Sequence, residues 1–115
     1  MGEHVEGAGG KVVRWDASAR RFSSEKMQKV GLFATERFFL DLYCLEPGQS
    51  QKTHAHAHSD KVYLVVEGSG LFTAGERGVR LSPGEALLVE PGEVHGVLND
   101  TAERLVVLTW MTPPP

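Results

Sequence analysis

A single cysteine, Cys44, stands among the 115 residues, which excludes an internal disulfide. It lies between Tyr43 and Leu45 in an apolar run, and no neighbouring feature would activate its thiol, so it reads as a small buried residue. The chain also lacks an excess of one charge. Twelve Lys and Arg face fifteen Asp and Glu, for a net charge of -3, which gives no electrostatic grip on nucleic acid or an anionic membrane. No apolar run approaches the about 20 residues of a membrane span. The first ten residues have neither the basic nor the apolar character of a secretory signal. With the lone cysteine, this points to the cytoplasm. No stretch of ten residues carries clean helical periodicity, and no glycine-rich turn leads into a helix that would cradle phosphate.

What is present is a series of short β-prone segments cut by glycine and proline. Lys11–Asp16, Val30–Phe33, Arg37–Leu45, Val62–Val66, Leu71–Ala74, Val79–Leu81, Ala86–Val89, Val94–Leu98 and Arg104–Trp110 read as strands. Turns fall at Pro47-Gly48, Gly68-Ser69-Gly70, Gly75 to Gly78, Ser82-Pro83-Gly84 and Pro91-Gly92. Ser18–Met27 reads as a turn or a short helical piece. This pattern predicts one all-β domain, a sandwich or barrel, over residues 11–112, behind a mobile Gly- and Glu-rich leader at residues 1–10. Tyr63, Phe38, Phe39, Phe72, Leu88 and Trp110 are expected to pack the barrel interior.

Histidines supply the chemistry. His54 and His56 are two apart, so on a strand they face the same way. His95 follows the Pro91-Gly92 turn. Two imidazoles at i and i+2 with a third from another hairpin suit a first-row metal ion. His4 lies in the leader and is expected to be inert.

These segments resemble the two motifs of the cupin family, small jelly-roll barrels also described as double-stranded β-helices. The first motif runs glycine, five residues, His-x-His, three or four residues, glutamate, six residues, glycine; Gly48, His54, His56 and Gly68 match it. The second runs glycine, five residues, proline, one residue, glycine, two residues, histidine, three residues, asparagine; Gly84, Gly92, His95 and Asn99 match it. The resemblance covers about residues 38–110. Two positions depart from it. Glu90 stands at the proline position, with Pro91 beside it, and Lys61 stands where the family has a metal-binding glutamate. An ammonium about 6 Å from a divalent ion, at an effective dielectric of about 20, repels it by about 5 kcal/mol.

The resemblance implies a divalent metal (Fe, Mn, Ni or Zn) on His54, His56 and His95. By spacing, His58, which continues the i, i+2 series, or Asp60, three residues past His56, is a candidate to replace the lost carboxylate. The resemblance also implies a dioxygenase, isomerase or cyclase acting on a small organic, anionic substrate, the metal polarising a carbonyl or activating dioxygen. The alternative is a metal-free barrel that binds a small molecule without turnover, because Lys61 replaces the glutamate. Lys61 is either a structural residue paired with a neighbouring acid or an active-site amine, and Tyr63 shares its face and offers a hydroxyl to the same pocket. The family habit of pairing through sheet edges implies a homodimer, with Arg37–Leu45 as an edge to cover.

Overall fold

Short hairpins joined at glycine-rich turns leave the chain no option but antiparallel pairing. The computed structural model describes residues 4–6 and 10–115 and contains eleven strands. They are β1 (His4–Glu6), β2 (Lys11–Val13), β3 (Gln28–Ala34), β4 (Phe39–Leu45), β5 (Ser50–His54), β6 (Asp60–Glu67), β7 (Gly70–Ala74), β8 (Arg77–Leu81), β9 (Ala86–Val89), β10 (His95–Leu98) and β11 (Leu105–Thr112). A five-stranded sheet has the order β3-β4-β11-β6-β9, and a four-stranded sheet the order β5-β10-β7-β8. Both are antiparallel throughout. The expected all-β jelly-roll barrel is therefore present, and Ser18–Met27 forms turns and bends without a helix. The expected leader falls largely outside the described residues; within it, β1 pairs with β2.

Alternation along the strands divides the side chains between two cores. Tyr43, Leu45, Tyr63, Val65, Phe72, Val97, Leu105 and Val107 fill the space between the sheets. Leu42, Cys44 and Val106 point the other way, beside Val30 and Leu32 of β3 in the same sheet, and pack against Ala19 and Phe22. The segment before β3 thus covers one end of the outer face of the large sheet. This is why β4 is buried on both faces, and Cys44 is fully buried as its apolar neighbours imply. The expectation that Arg37–Leu45 forms an edge is corrected: β4 lies between β3 and β11, and β3 and β9 are the edges. Leu88 and Trp110 are corrected too. They are 53% and 48% exposed, because their position in the alternation places them outside the barrel, and Phe38, also expected inside, packs against Trp110 there.

The motif residues at the end remote from the histidines close turns. Asn99 is fully buried. Its side-chain amide donates to the carbonyls of Leu45 and Glu103, and its carbonyl oxygen accepts from the Thr101 backbone N–H and hydroxyl. Its backbone N–H donates to Gln49 O, and its own carbonyl accepts from the Gly48 N–H. One residue thus ties the ends of β4, β5, β10 and β11 together. Gly68 adopts φ +80°, and a Cβ there would stand 2.2 Å from the Arg104 carbonyl oxygen.

Gly68→Ala therefore combines a left-handed backbone with a clash against main chain, and is expected to cost about 2–4 kcal/mol. Gly84→Ala, at φ +88° but with open space around it, is expected to cost about 1–2 kcal/mol. Urea denaturation of the two variants checks the difference; equal losses contradict the packing described at Gly68.

Candidate metal centre

The centre forms where β5 meets β10. His95 stands opposite His54. Further along, Val97 stands opposite Gln51, so two steps on β10 span three on β5. The extra residue is a β-bulge, which re-aims side chains. A regular strand puts residues three apart on opposite faces, yet here Gln51 is buried and His54 joins buried His95. Gly96 lies across from the bulge. A Cβ on it would meet Gln51 O at 2.8 Å and Thr53 Cγ2 at 3.1 Å, so the close approach that aims His54 at His95 needs a glycine there. His56 lies beyond the end of β5, not on a strand with His54 as the spacing implies. It is held instead by the Gly92 N–H, which donates to the His56 carbonyl at 2.8 Å. The turn that leads into His95 therefore also secures His56.

The rings converge. Centroids are 4.3 Å apart for His54 and His95, 4.7 Å for His54 and His56, and 5.4 Å for His56 and His95. One nitrogen from each lies within 4.8 Å of the others. Backbone carbonyls orient two of them: His54 Nδ1 lies 2.8 Å from Lys52 O, and His95 Nδ1 lies 3.0 Å from Glu93 O. A carbonyl can only accept, so in both rings Nδ1 carries the proton and Nε2 presents its lone pair. His95 Nε2 is buried with no hydrogen-bond partner among the described residues, which is costly unless something else fills the position. Burial, with smaller contributions from the Lys61, His54 and His56 charges, pushes His95 down to about 4. Burial, then the His54 and Lys61 charges, also lowers His56. Both rings are therefore neutral at pH 7, the form that binds a metal. The donor set fits a divalent first-row ion with coordination positions left open.

Lys61 and Tyr63 point inward from β6, and both are buried. Lys61 Nζ donates to Tyr43 Oη at 3.2 Å and sits 4.9 Å from the Tyr63 ring centre and 5.4 Å from that of Tyr43. The Tyr63 hydroxyl donates to Gln51 Oε1 at 2.7 Å, and Gln51 Nε2 donates to Tyr43 Oη at 3.0 Å. The Tyr63 ring also lies 6.2 Å from the His95 ring, linking the amine to the histidines. Burial raises both phenols, Tyr43 to about 12, so both are protonated at neutral pH. No ion pair binds Lys61 among the described residues; the acid nearest in effect is Asp41, itself raised by burial.

Asp60 precedes Lys61 on β6, so alternation turns it outward; it is exposed and stands outside the histidine cluster, as does exposed His58. Neither is brought to the place of the missing carboxylate. Tyr43, Gln51 and Asp41 belong to the site and were missed by sequence reading. Period-two alternation would have found Asp41 and Tyr43, which share the inward face of β4 with Leu45. Gln51 had no such signal, because the bulge reverses the parity between it and His54.

Burial, chiefly, and then the charge of Lys29 lower Lys61 from 10.5 to about 7, against the pull of Asp41. The folded amine loses its proton near pH 7 and the unfolded one near 10.5. Between those values the unfolded chain binds the extra proton, so stability rises with pH. Below pH 7 the buried ammonium costs its full penalty, on the order of 5 kcal/mol. Lys61→Met is thus expected to raise stability over the parent at pH 6 by several kcal/mol, the gain shrinking towards pH 10. Denaturant melts across that range check it; a pH-independent difference contradicts it.

A model of the Cupin domain family matches residues 41–111. The tetracenomycin polyketide synthase protein TcmJ of Streptomyces glaucescens is 39% identical over 61 residues, which are 53% of this chain and 41% of that protein. The chain therefore spans about two-fifths of that relative. The protein TT1209 from Thermus thermophilus superposes with a TM-score of 0.83 and 42% identity, covering 84% of this chain and 92% of that one. A double-stranded β-helix protein from Klebsiella pneumoniae superposes at 0.78 with 23% identity, covering 83% and 84%. KdgF from Halomonas sp. does so at 0.74 with 20%, covering 83% and 86%. With the family match spanning both histidine segments and the barrel that unites them, the chain belongs to the cupin family.

Proposed function

We propose that this cupin is a mononuclear metal enzyme acting on a small oxygen-bearing organic molecule. The observation that carries the reading is the buried, unpartnered Nε2 of His95, set among two further imidazoles whose donor atoms lie within 4.8 Å of one another. His54, His56 and His95 hold the ion. Once bound, a divalent metal with open positions polarises a substrate carbonyl, which supports an isomerase or cyclase, or a dioxygenase if the ion is iron. The chain's own groups do the rest. Lys52 O and Glu93 O fix the tautomers of His54 and His95. Tyr63 and Tyr43, protonated and tied through Gln51, form a polar wall that orients substrate oxygens. The relation to a polyketide synthase protein accords with a substrate rich in carbonyl oxygens. A second reading, a metal-free small-molecule binder, draws on the buried cation of Lys61 facing the same interior.

Elemental analysis after metal reconstitution separates the two. One equivalent of Fe, Mn, Ni, Co or Zn is expected, lost in His54→Ala and His95→Ala. Lys61→Glu is expected to tighten metal binding by several orders of magnitude, because it puts a carboxylate in place of an ammonium whose charge acts on His95. No metal in the parent protein, with no gain in Lys61→Glu, favours the metal-free reading.

We also propose that the chain forms a homodimer through the outer face of its large sheet. Leu40, Trp110, Val62 and Leu88 stand in register across four strands. Phe38 packs edge-on against Trp110 at 6.2 Å, and exposed Leu88 and Trp110 make this an apolar patch suited to self-association. Sedimentation is expected to give a dimer for the parent and a monomer for Trp110→Asp; an unchanged mass in that variant places the interface elsewhere.

A further inference from the structure

The interior beside the histidines holds more polar chemistry than metal binding needs. Lys61 is 2% exposed and has one hydrogen-bond partner among the described residues, Tyr43 Oη, although an ammonium offers three donors. Its other surroundings are two aromatic faces. Those faces stabilise a cation without consuming its donors, so Nζ keeps hydrogen-bonding capacity for something not supplied by the protein. On β11, Thr109 stands in register between Asp41 of β4 and Tyr63 of β6. It is fully buried, and its hydroxyl interacts with the Tyr43 phenol. A barrel closed for stability alone would fill these positions with aliphatic side chains, as it does one layer away at Val65, Leu105 and Val107. Among the described residues His95 Nε2 has no hydrogen-bond partner and Lys61 Nζ has one, and the Tyr63 ring lies 6.2 Å from the His95 ring and 4.9 Å from Nζ.

We propose that Lys61 is a substrate anchor and specificity determinant, and that the substrate is a small dianion with one oxygen-bearing end at the histidine cluster and a carboxylate at Lys61 Nζ. The proposal rests on the metal reading above. Charge counting supports it. Imidazole ligands bring no charge to offset a divalent ion, no protein carboxylate joins them among the described residues, and Lys61, in the protonated form that an incoming anion favours, adds a second positive group. Asp41, the acid nearest in effect, is only partly buried and makes no ion pair with Lys61. A dianion supplies the missing charge at both ends at once. A monoanion satisfies one end and leaves the other unpaired, which sets up the selectivity.

The test uses the full chain loaded with Co(II), with malonate as the dianion probe and acetate as the monoanion probe, read by calorimetry and by the visible Co(II) bands. The parent protein is expected to bind malonate at least tenfold more tightly than acetate. In Lys61→Met the preference is expected to fall below threefold, with the Co(II) bands retained. Tyr43→Phe, which keeps the amine but removes its phenol partner, is expected to keep the preference. If Lys61→Met does not fold, Lys61→Gln gives the same comparison. No preference in the parent, or a preference that survives loss of the amine, overturns the anchor. Should the parent take up no Co(II), the metal reading falls by itself. The metal-free protein then decides for Lys61: malonate binding lost in Lys61→Met upholds the anchor, and no binding overturns it.

Discussion

The close approach of β10 to β5 at Gly96 is the contact on which the site depends. It places His54 directly opposite His95 and absorbs one extra residue of β5, so that Gln51 and His54 both serve the interior. It works because Gly96 has no Cβ to strike Gln51 O. The Gly92 N–H to His56 carbonyl bond then brings the third ring in from a loop. Main chain thus determines the geometry of the centre. Two of the imidazoles take tautomers dictated by backbone carbonyls beside them in sequence.

A cost accompanies this arrangement. Lys61 is an amine in a position that desolvates it, beside a cluster that attracts a cation. Two tyrosine faces and one phenol oxygen make that tolerable without neutralising it by an acid. A structural lysine in so small a barrel would gain more from a partnered carboxylate or from replacement by an aliphatic residue. Its presence without either is why its role is assigned to an incoming anion. Protein–metal and protein–substrate electrostatics are then coupled: the charge that weakens the resident ion strengthens the hold on the ligand.

Much of this was legible in the chain. The spacing from Gly48 to Gly68 and from Gly84 to Asn99 identifies the barrel, because those glycines and the asparagine mark turns whose geometry few other residues support. Most of the strands follow from β-branched and aromatic runs between turn residues. β5 did not, since Ser50-Gln51-Lys52-Thr53 has no apolar alternation and owes its pairing to β10. His54, His56 and His95 were legible as a group, although a turn contact holds His56 where the spacing suggests a strand face shared with His54. Asp60 as a ligand followed from spacing alone and neglected the alternation that makes Lys61 the inward residue. Leu88 and Trp110 look like core by composition; which side of a sheet a residue faces depends on register, and register is set by distant partners.

The claim on which everything else rests is that three imidazoles share one ion. X-ray absorption spectroscopy on the zinc- or cobalt-loaded protein tests it most directly, because multiple scattering from imidazole rings counts them. Three imidazoles with the remaining positions filled by light oxygen donors, and no sulfur, is the predicted spectrum. A fit requiring one imidazole or none, or sulfur from Cys44, would contradict the account.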